Sequence, residues 1–229
     1  MLVGSIINLA RNVSMVRRYS TDLVSQFVEV EQRKIHVVKA GSGTKALLLL
    51  PGALGSALSD FRPQLEGLDR EKMTVIGWDP PGYGQSRPPA RSWDNFFQED
   101  ARLAVNTMKT LGYEKFSMAG WSDGGITALI AAAQNPDSID RLVVWGSNAY
   151  ISQWDIDNIE KVSDVSKWSE RMRKPMVEMY GDSFPSLWSR WCQAYRVEPE
   201  LLSSSKSGDC CRTISPSEEG TSVWRIWRR

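Results

Sequence analysis

The chain has little of what builds metal centres or disulfide scaffolds. Its 229 residues include one histidine, His36, and three cysteines, Cys192, Cys210 and Cys211. A single histidine without a Cys-x-x-Cys pair excludes a structural zinc of ordinary ligand type. Three clustered cysteines exclude the disulfide framework of a small secreted domain and fit a reducing compartment. No apolar run approaches the ~18 residues of a membrane span. Net charge is +1, from 28 basic and 27 acidic side chains, so no global field draws nucleic acid or anionic membrane. A small-molecule partner and a monomer are expected, and neither a metal nor an organic cofactor is implied.

What is present is an ordinary globular composition, 41% hydrophobic and 24% charged, enough to bury one main domain. The first segment, residues 1–21, differs in kind. It holds Arg11, Arg17 and Arg18 and no acid, while Leu2, Ile6, Leu9, Val13 and Val16 recur at helical spacing. An amphipathic, arginine-bearing, acid-free start reads as a mitochondrial presequence, with Arg17-Arg18-Tyr19-Ser20 as a processing site. A core over 22–150, a helical cap over 151–202 and a disordered tail over 203–229 are expected to follow.

Short alternating runs at Phe27–Val30 and Lys34–Val38 predict two antiparallel strands. Two apolar runs, Ala46–Leu50 and Met73–Trp78, predict strands buried on both faces, with Phe116–Gly120 as the next strand and Leu142–Gly146 as another apolar one. Helical spacing marks Phe61–Leu68, Asn95–Leu111 and Gly124–Gln134. Alternation of strand and helix predicts an α/β fold with a mostly parallel, doubly wound sheet. Beyond Tyr150, Ser152–Arg173 and Pro175–Tyr195 read as helices outside that sheet.

The chemistry centres on Gly120-Trp121-Ser122-Asp123-Gly124, a Gly-x-Ser-x-Gly pentapeptide between a strand and an alanine-rich helix. A sharp strand-to-helix turn there would hold Ser122 in a strained conformation with its hydroxyl above the sheet. The helix start offers free amides and a positive dipole end to a developing oxyanion, which nominates the backbone N–H of Asp123. The small-residue loop Leu50-Pro51-Gly52-Ala53-Leu54-Gly55 leaves the first buried strand. It nominates Ala53, with Leu54 next, as the second oxyanion amide.

With Asp79-Pro80-Pro81-Gly82-Tyr83-Gly84-Gln85-Ser86, these motifs resemble the α/β-hydrolase superfamily. The stretches 120–133, 79–89 and 164–171 narrow the resemblance to the valacyclovir hydrolase-like, or biphenyl hydrolase-like, serine hydrolases. It spans roughly Phe27 to Arg196. The resemblance implies hydrolysis of α-amino acid esters in the mitochondrion by an enzyme with a helical cap. Ser122 then matches the nucleophile, and the Asp123 carboxylate matches the group that receives the substrate's α-ammonium. A purely electrostatic role for Asp123 at the helix start is the alternative.

The family also implies two strands after the cap, one ending in a triad Asp and one preceding a triad His, and neither is present in this sequence. The chain reads as C-terminally truncated relative to the family. Asp209, Glu218 and Glu219 follow no apolar strand and are expected to be solvated. His36 precedes Ser122 on an early strand, is expected at the surface or the sheet edge, and does not replace the missing base. Three functions stay open: an amino acid ester hydrolase by descent that is itself inactive, a noncatalytic binding or regulatory protein of the same fold, and a carbon–carbon bond hydrolase.

Overall fold

The computed structural model describes residues 23–197 and 223–226. The chain enters through β1 (Val24–Val30) and β2 (Arg33–Ala40), an antiparallel hairpin in which Phe27 lies opposite His36. The turn places Glu31 and Gln32 in the left-handed region. After this come β3 (Lys45–Leu50), α1 (Ala57–Gly67), β4 (Met73–Trp78), α2 (Phe96–Thr110), β5 (Phe116–Trp121), α3 (Asp123–Gln134) and β6 (Ile139–Trp145). The helix starting at Ala57 rather than Phe61 owes its extra turn to Ser56, whose side chain and that of Ser59 form a reciprocal capping box.

The sheet order is β1-β2-β4-β3-β5-β6-β7, the last being Val223–Ile226. Strands β3, β4, β5 and β6 run parallel, and β1 shares their direction through the antiparallel β2. A mostly parallel α/β sheet is therefore the architecture. The 203–229 segment departs from the expected disordered tail at one point. Residues 223–226 pair antiparallel with β6, from Leu142↔Ile226 to Trp145↔Val223. Four residues rich in β-branched and aromatic types suffice to satisfy the open backbone edge of β6, although they are too few to show a period in the sequence. The presequence reading at 1–21 and the late acids lie outside the described residues.

Two cores flank the sheet. On one face Val38, Ala40, Leu49 and Val75 meet Ala57, Phe61 and Leu65 of α1. On the other, Leu48, Leu50, Ile76, Trp78, Met118 and Val144 pack against α2 and α3 and continue into the cap. The cap is α4 (Gln153–Val162), α5 (Glu170–Tyr180) and α6 (Phe184–Arg196). The first expected helical span, Ser152–Arg173, is thus two helices: α4 ends at Val162 and a single 3-10 turn intervenes at Val165–Lys167. Pro175 lies inside α5 instead of opening a helix. Trp168 meets Trp188 edge-on, Trp188 stacks on Trp191, and Tyr195 lies tilted against Trp191, an aromatic row within the cap.

Candidate active site

Strands β3 and β5 are neighbours, with Leu50 opposite Gly120, so the loops that leave them emerge side by side. In open α/β sheets this carboxyl end is where ligands bind. Ser122 sits at the β5–α3 junction with φ +53° and ψ −128°, a conformation that L-residues rarely adopt. The strain is held from both ends. The Ser122 N–H donates to Trp145 O, and its carbonyl accepts from Gly125 N, Ile126 N and the Ser147 hydroxyl. The side chain is half-buried, and its Oγ has no hydrogen-bond partner among the described residues.

The glycines are demanded by this crowding. A Cβ on Gly124 would lie 2.0 Å from Leu50 O, so α3 can start against the end of β3 only without a side chain. A Cβ on Gly52 would come within 3.2 Å of Ser122 Cβ and 3.0 Å of the Trp121 ring. The Gly52–Leu54 loop therefore lies directly against the elbow. Within it the Ala53 and Leu54 amides, like that of Asp123 at the start of α3, donate to no other described residue. Leu54 is left-handed at φ +57°, and its carbonyl accepts the Tyr180 hydroxyl at 2.7 Å.

Asp60, which the sequence did not single out, fastens the two halves. One oxygen, Oδ2, accepts from Gly52 N at 2.9 Å and from Trp121 Nε1 at 2.7 Å, while Oδ1 accepts from Ser59. Burial raises its pKa, and the Ser59, Trp121 and Gly52 donors oppose that rise. The residue before Ala53 and the residue before Ser122 thus hang from one carboxylate oxygen.

Asp123 is 7% exposed. Burial pushes its carboxyl up to about 7, against the opposing pulls of Trp191 and Arg91. Its Oδ2 accepts the Trp191 indole N–H at 2.6 Å, a contact from α6 of the cap. Beside it Leu50, Gly52, Tyr83, Arg91 and Thr127 line a cavity of about 10 Å³, room for one water at most. Behind the cavity Arg91 pairs with Asp100, both buried, and lies 4.3 Å from the centre of the Tyr83 ring. Neither this pair nor Trp191 carries a sequence signature, since each joins segments whose spacing follows no local period.

His36 corrects the sequence reading. It is 1% exposed, and its strand β2 is interior because β1 covers it. Its Nδ1 bonds Asp79 Oδ2 at 2.9 Å and its Nε2 bonds Ser25 Oγ at 2.7 Å. Both ring nitrogens are engaged away from Ser122. Among the described residues no cluster of His, Cys, Asp and Glu could hold a metal ion, and no helix is long and apolar enough to cross a membrane.

The profile of the alpha/beta hydrolase fold family matches residues 45–195. The chain belongs to the α/β-hydrolase family. Within it, serine hydrolase BPHL of Homo sapiens is 46% identical over 200 residues, covering 86% of this chain and 67% of that protein. Serine hydrolase BPHL of Mus musculus is 42% identical over 202 residues, 88% of this chain and 68% of that protein. This α/β-hydrolase chain thus spans about two thirds of the length of these relatives. Among solved structures, the epoxide hydrolase CorEH aligns with a TM-score of 0.57 at 22% identity, over 77% of this chain and 74% of that chain. A variant of the N-acyl homoserine lactonase AidH aligns at 0.56 and 24%, over 76% and 67%. These two show the fold alone. The expectation of a biphenyl hydrolase-like α/β-hydrolase holds.

Proposed function

We propose that the elbow is an α-amino acid ester hydrolase site, in which Ser122 would form the acyl-enzyme and the Ala53 and Asp123 amides would hold the oxyanion. The observation that carries this reading is the pairing of a strained Ser122 with two undonated amides on loops pinned together by Asp60. The Asp123 carboxylate next to the nucleophile suits a small-molecule ester bearing an α-ammonium group, because a desolvated carboxylate pairs strongly with a cation.

A serine is a weak nucleophile until a neighbouring base takes its proton. His36, the one histidine of this sequence, is committed to Asp79 and Ser25. The 229-residue chain therefore binds amine-bearing esters and turns them over negligibly, at best ~10³- to 10⁴-fold above water from oxyanion binding alone. The Ser122 hydroxyl, without a partner among the described residues, favours the second reading, a noncatalytic ligand-binding protein. The arginine-bearing segment 1–21 supports delivery to mitochondria, which a fusion of that segment to a fluorescent protein tests by imaging.

Calorimetry with a valine ester and its des-amino analogue tests the substrate class. The valine ester binds at least tenfold more tightly, and Asp123→Asn erases the difference. Equal binding of the two esters removes Asp123 from ligand selection. Rapid hydrolysis lost in Ser122→Ala would instead refute the inactive state.

A further inference from the structure

On the opposite face of the sheet from α2 and α3, three side chains form a relay that the elbow does not use. Ser25 is exposed on the edge strand β1, and its Oγ lies 2.7 Å from His36 Nε2. His36 Nδ1 lies 2.9 Å from Asp79 Oδ2. Asp79 also accepts from Ala57 N through Oδ1 and from Gln85 N through Oδ2. Asp79 serves as acceptor for both amides, and the imidazole tautomer that fits beside it donates through Nδ1–H. The Nε2 lone pair is then left facing the Ser25 hydroxyl. The ring is fixed from its flanks as well: the His36 N–H donates to Ser86 Oγ, and the Phe27 ring lies tilted against it at 5.4 Å.

We propose that Ser25 is a second nucleophile, with His36 as its general base and Asp79 orienting that base, and that it takes the acyl or phosphonyl group of aryl esters. The order of contacts, hydroxyl to Nε2 and Nδ1 to a buried carboxylate, is the arrangement by which a serine is activated, irrespective of fold or chain order. Aryl esters are the class because Phe27, two residues along the same strand face and 56% exposed, offers an apolar ring beside the hydroxyl. In the step, Ser25 Oγ attacks the carbonyl carbon as its proton passes to Nε2. Collapse of the adduct expels the aryloxide, which takes that proton and leaves acyl-Ser25. Water, deprotonated by the same nitrogen, then attacks the acyl carbon, and Nε2 returns that proton to Ser25 Oγ as the acyl–oxygen bond breaks and the acid leaves.

The test uses the full chain and a 4-nitrophenyl alkylphosphonate, whose serine adduct persists through digestion, with peptide mass spectrometry reading each site. Ser25 is expected to be modified about 100-fold or more faster than the exposed Ser92, the lower bound of general-base assistance. In His36→Gln the rate at Ser25 falls to that of Ser92. Equal rates at Ser25 and Ser92 in the unsubstituted chain overturn the proposal, as does a Ser25 rate unchanged in a folded His36→Gln variant. If that variant fails to fold, the ratio within the unsubstituted chain decides alone. Modification at Ser122 is read in the same digest, so the fate of the elbow reading is scored separately.

Discussion

The indole N–H of Trp191 donates to Asp123 Oδ2 at 2.6 Å, joining the cap to the first residue of α3 beside Ser122. With a cavity of about 10 Å³ alongside, the carboxylate already has the partner that a ligand's ammonium would seek. An amine can reach it only after α6 gives way. Trp191→Phe keeps the ring and removes the donor. We expect it to cost about 1.5–3 kcal/mol of stability at pH 8, as for a lost hydrogen bond to a charged group, and to tighten valine ester binding severalfold. Weaker ester binding in this variant, measured by calorimetry, would make Trp191 part of the ligand site instead of its competitor.

The Asp123 carboxyl, raised from its ordinary 3.8 to about 7 by burial, holds its proton more tightly in the folded than in the unfolded chain. Its contribution is therefore neutral below the unfolded value. Stability is lost as pH climbs from about 4 to about 7, and the cost is constant above that. Asp123→Asn keeps an acceptor for Trp191 and does not ionise. Its stability relative to the parent should rise over that window by an amount on the order of 4 kcal/mol and then level off. Thermal melting between pH 4 and pH 8 measures this, and a difference that shrinks with rising pH contradicts the assignment.

Arg91 and Asp100 form a buried ion pair behind the site, and burial pushes Asp100 up against the pull of Arg91. Arg91→Met strands that carboxylate and removes the cation from the faces of Tyr83, Trp93 and Phe96. The expected loss is about 3–5 kcal/mol. Arg91→Met combined with Asp100→Leu should recover a large part of it, which denaturant titration of the three variants resolves. Additive losses would show that the pair is not coupled.

Two glycines should respond in opposite directions to alanine. At Gly124 the new Cβ meets the backbone oxygen of Leu50 at 2.0 Å, with no flexible side chain to yield, so we expect a loss of about 3 kcal/mol or more. At Gly67, the last residue of α1, the Cβ meets nothing within 4 Å and φ is ordinary. There alanine should stabilise by about 0.5–1 kcal/mol. Urea midpoints order the variants, and a neutral Gly124→Ala would mean that α3 can back away from β3.

The elbow was legible because its constraint is local. Ser122 needs small flanking residues within a few positions, so a pentapeptide between a strand and a helix records it. The strands β3 and β4 were legible as mainly apolar runs for a similar reason, since burial on both faces leaves few polar positions, whereas β6 leaves Val143 39% exposed. What escaped the sequence depends on distant partners. Trp191 reaches Asp123 across the whole length of β6 and two cap helices, and in sequence it is one more aromatic in an amphipathic segment. Asp60 carries no sequence signal because its partners Gly52 and Trp121 reach it only in the fold. His36 looked peripheral because β1 covers β2 through a hairpin whose register the pattern alone does not set. The pairing of 223–226 with β6 answers a need of the β6 edge, which those four residues do not themselves reveal.

The Tyr180 hydroxyl donates to Leu54 O and accepts from Gly84 N at 3.2 Å, so one oxygen at the end of α5 spans the loop after β3 and the turn after β4. Coupling through such a joint is reciprocal. A ligand that orders the Ala53–Leu54 amides must strengthen the hold of the cap by the same factor with which a closed cap strengthens the ligand. An antibody fragment or crosslink that fixes α5 would then report on a ligand at the Ala53–Leu54 amides without touching Ser122, and a tetrahedral analogue bound at the elbow would slow exchange of protons along α5.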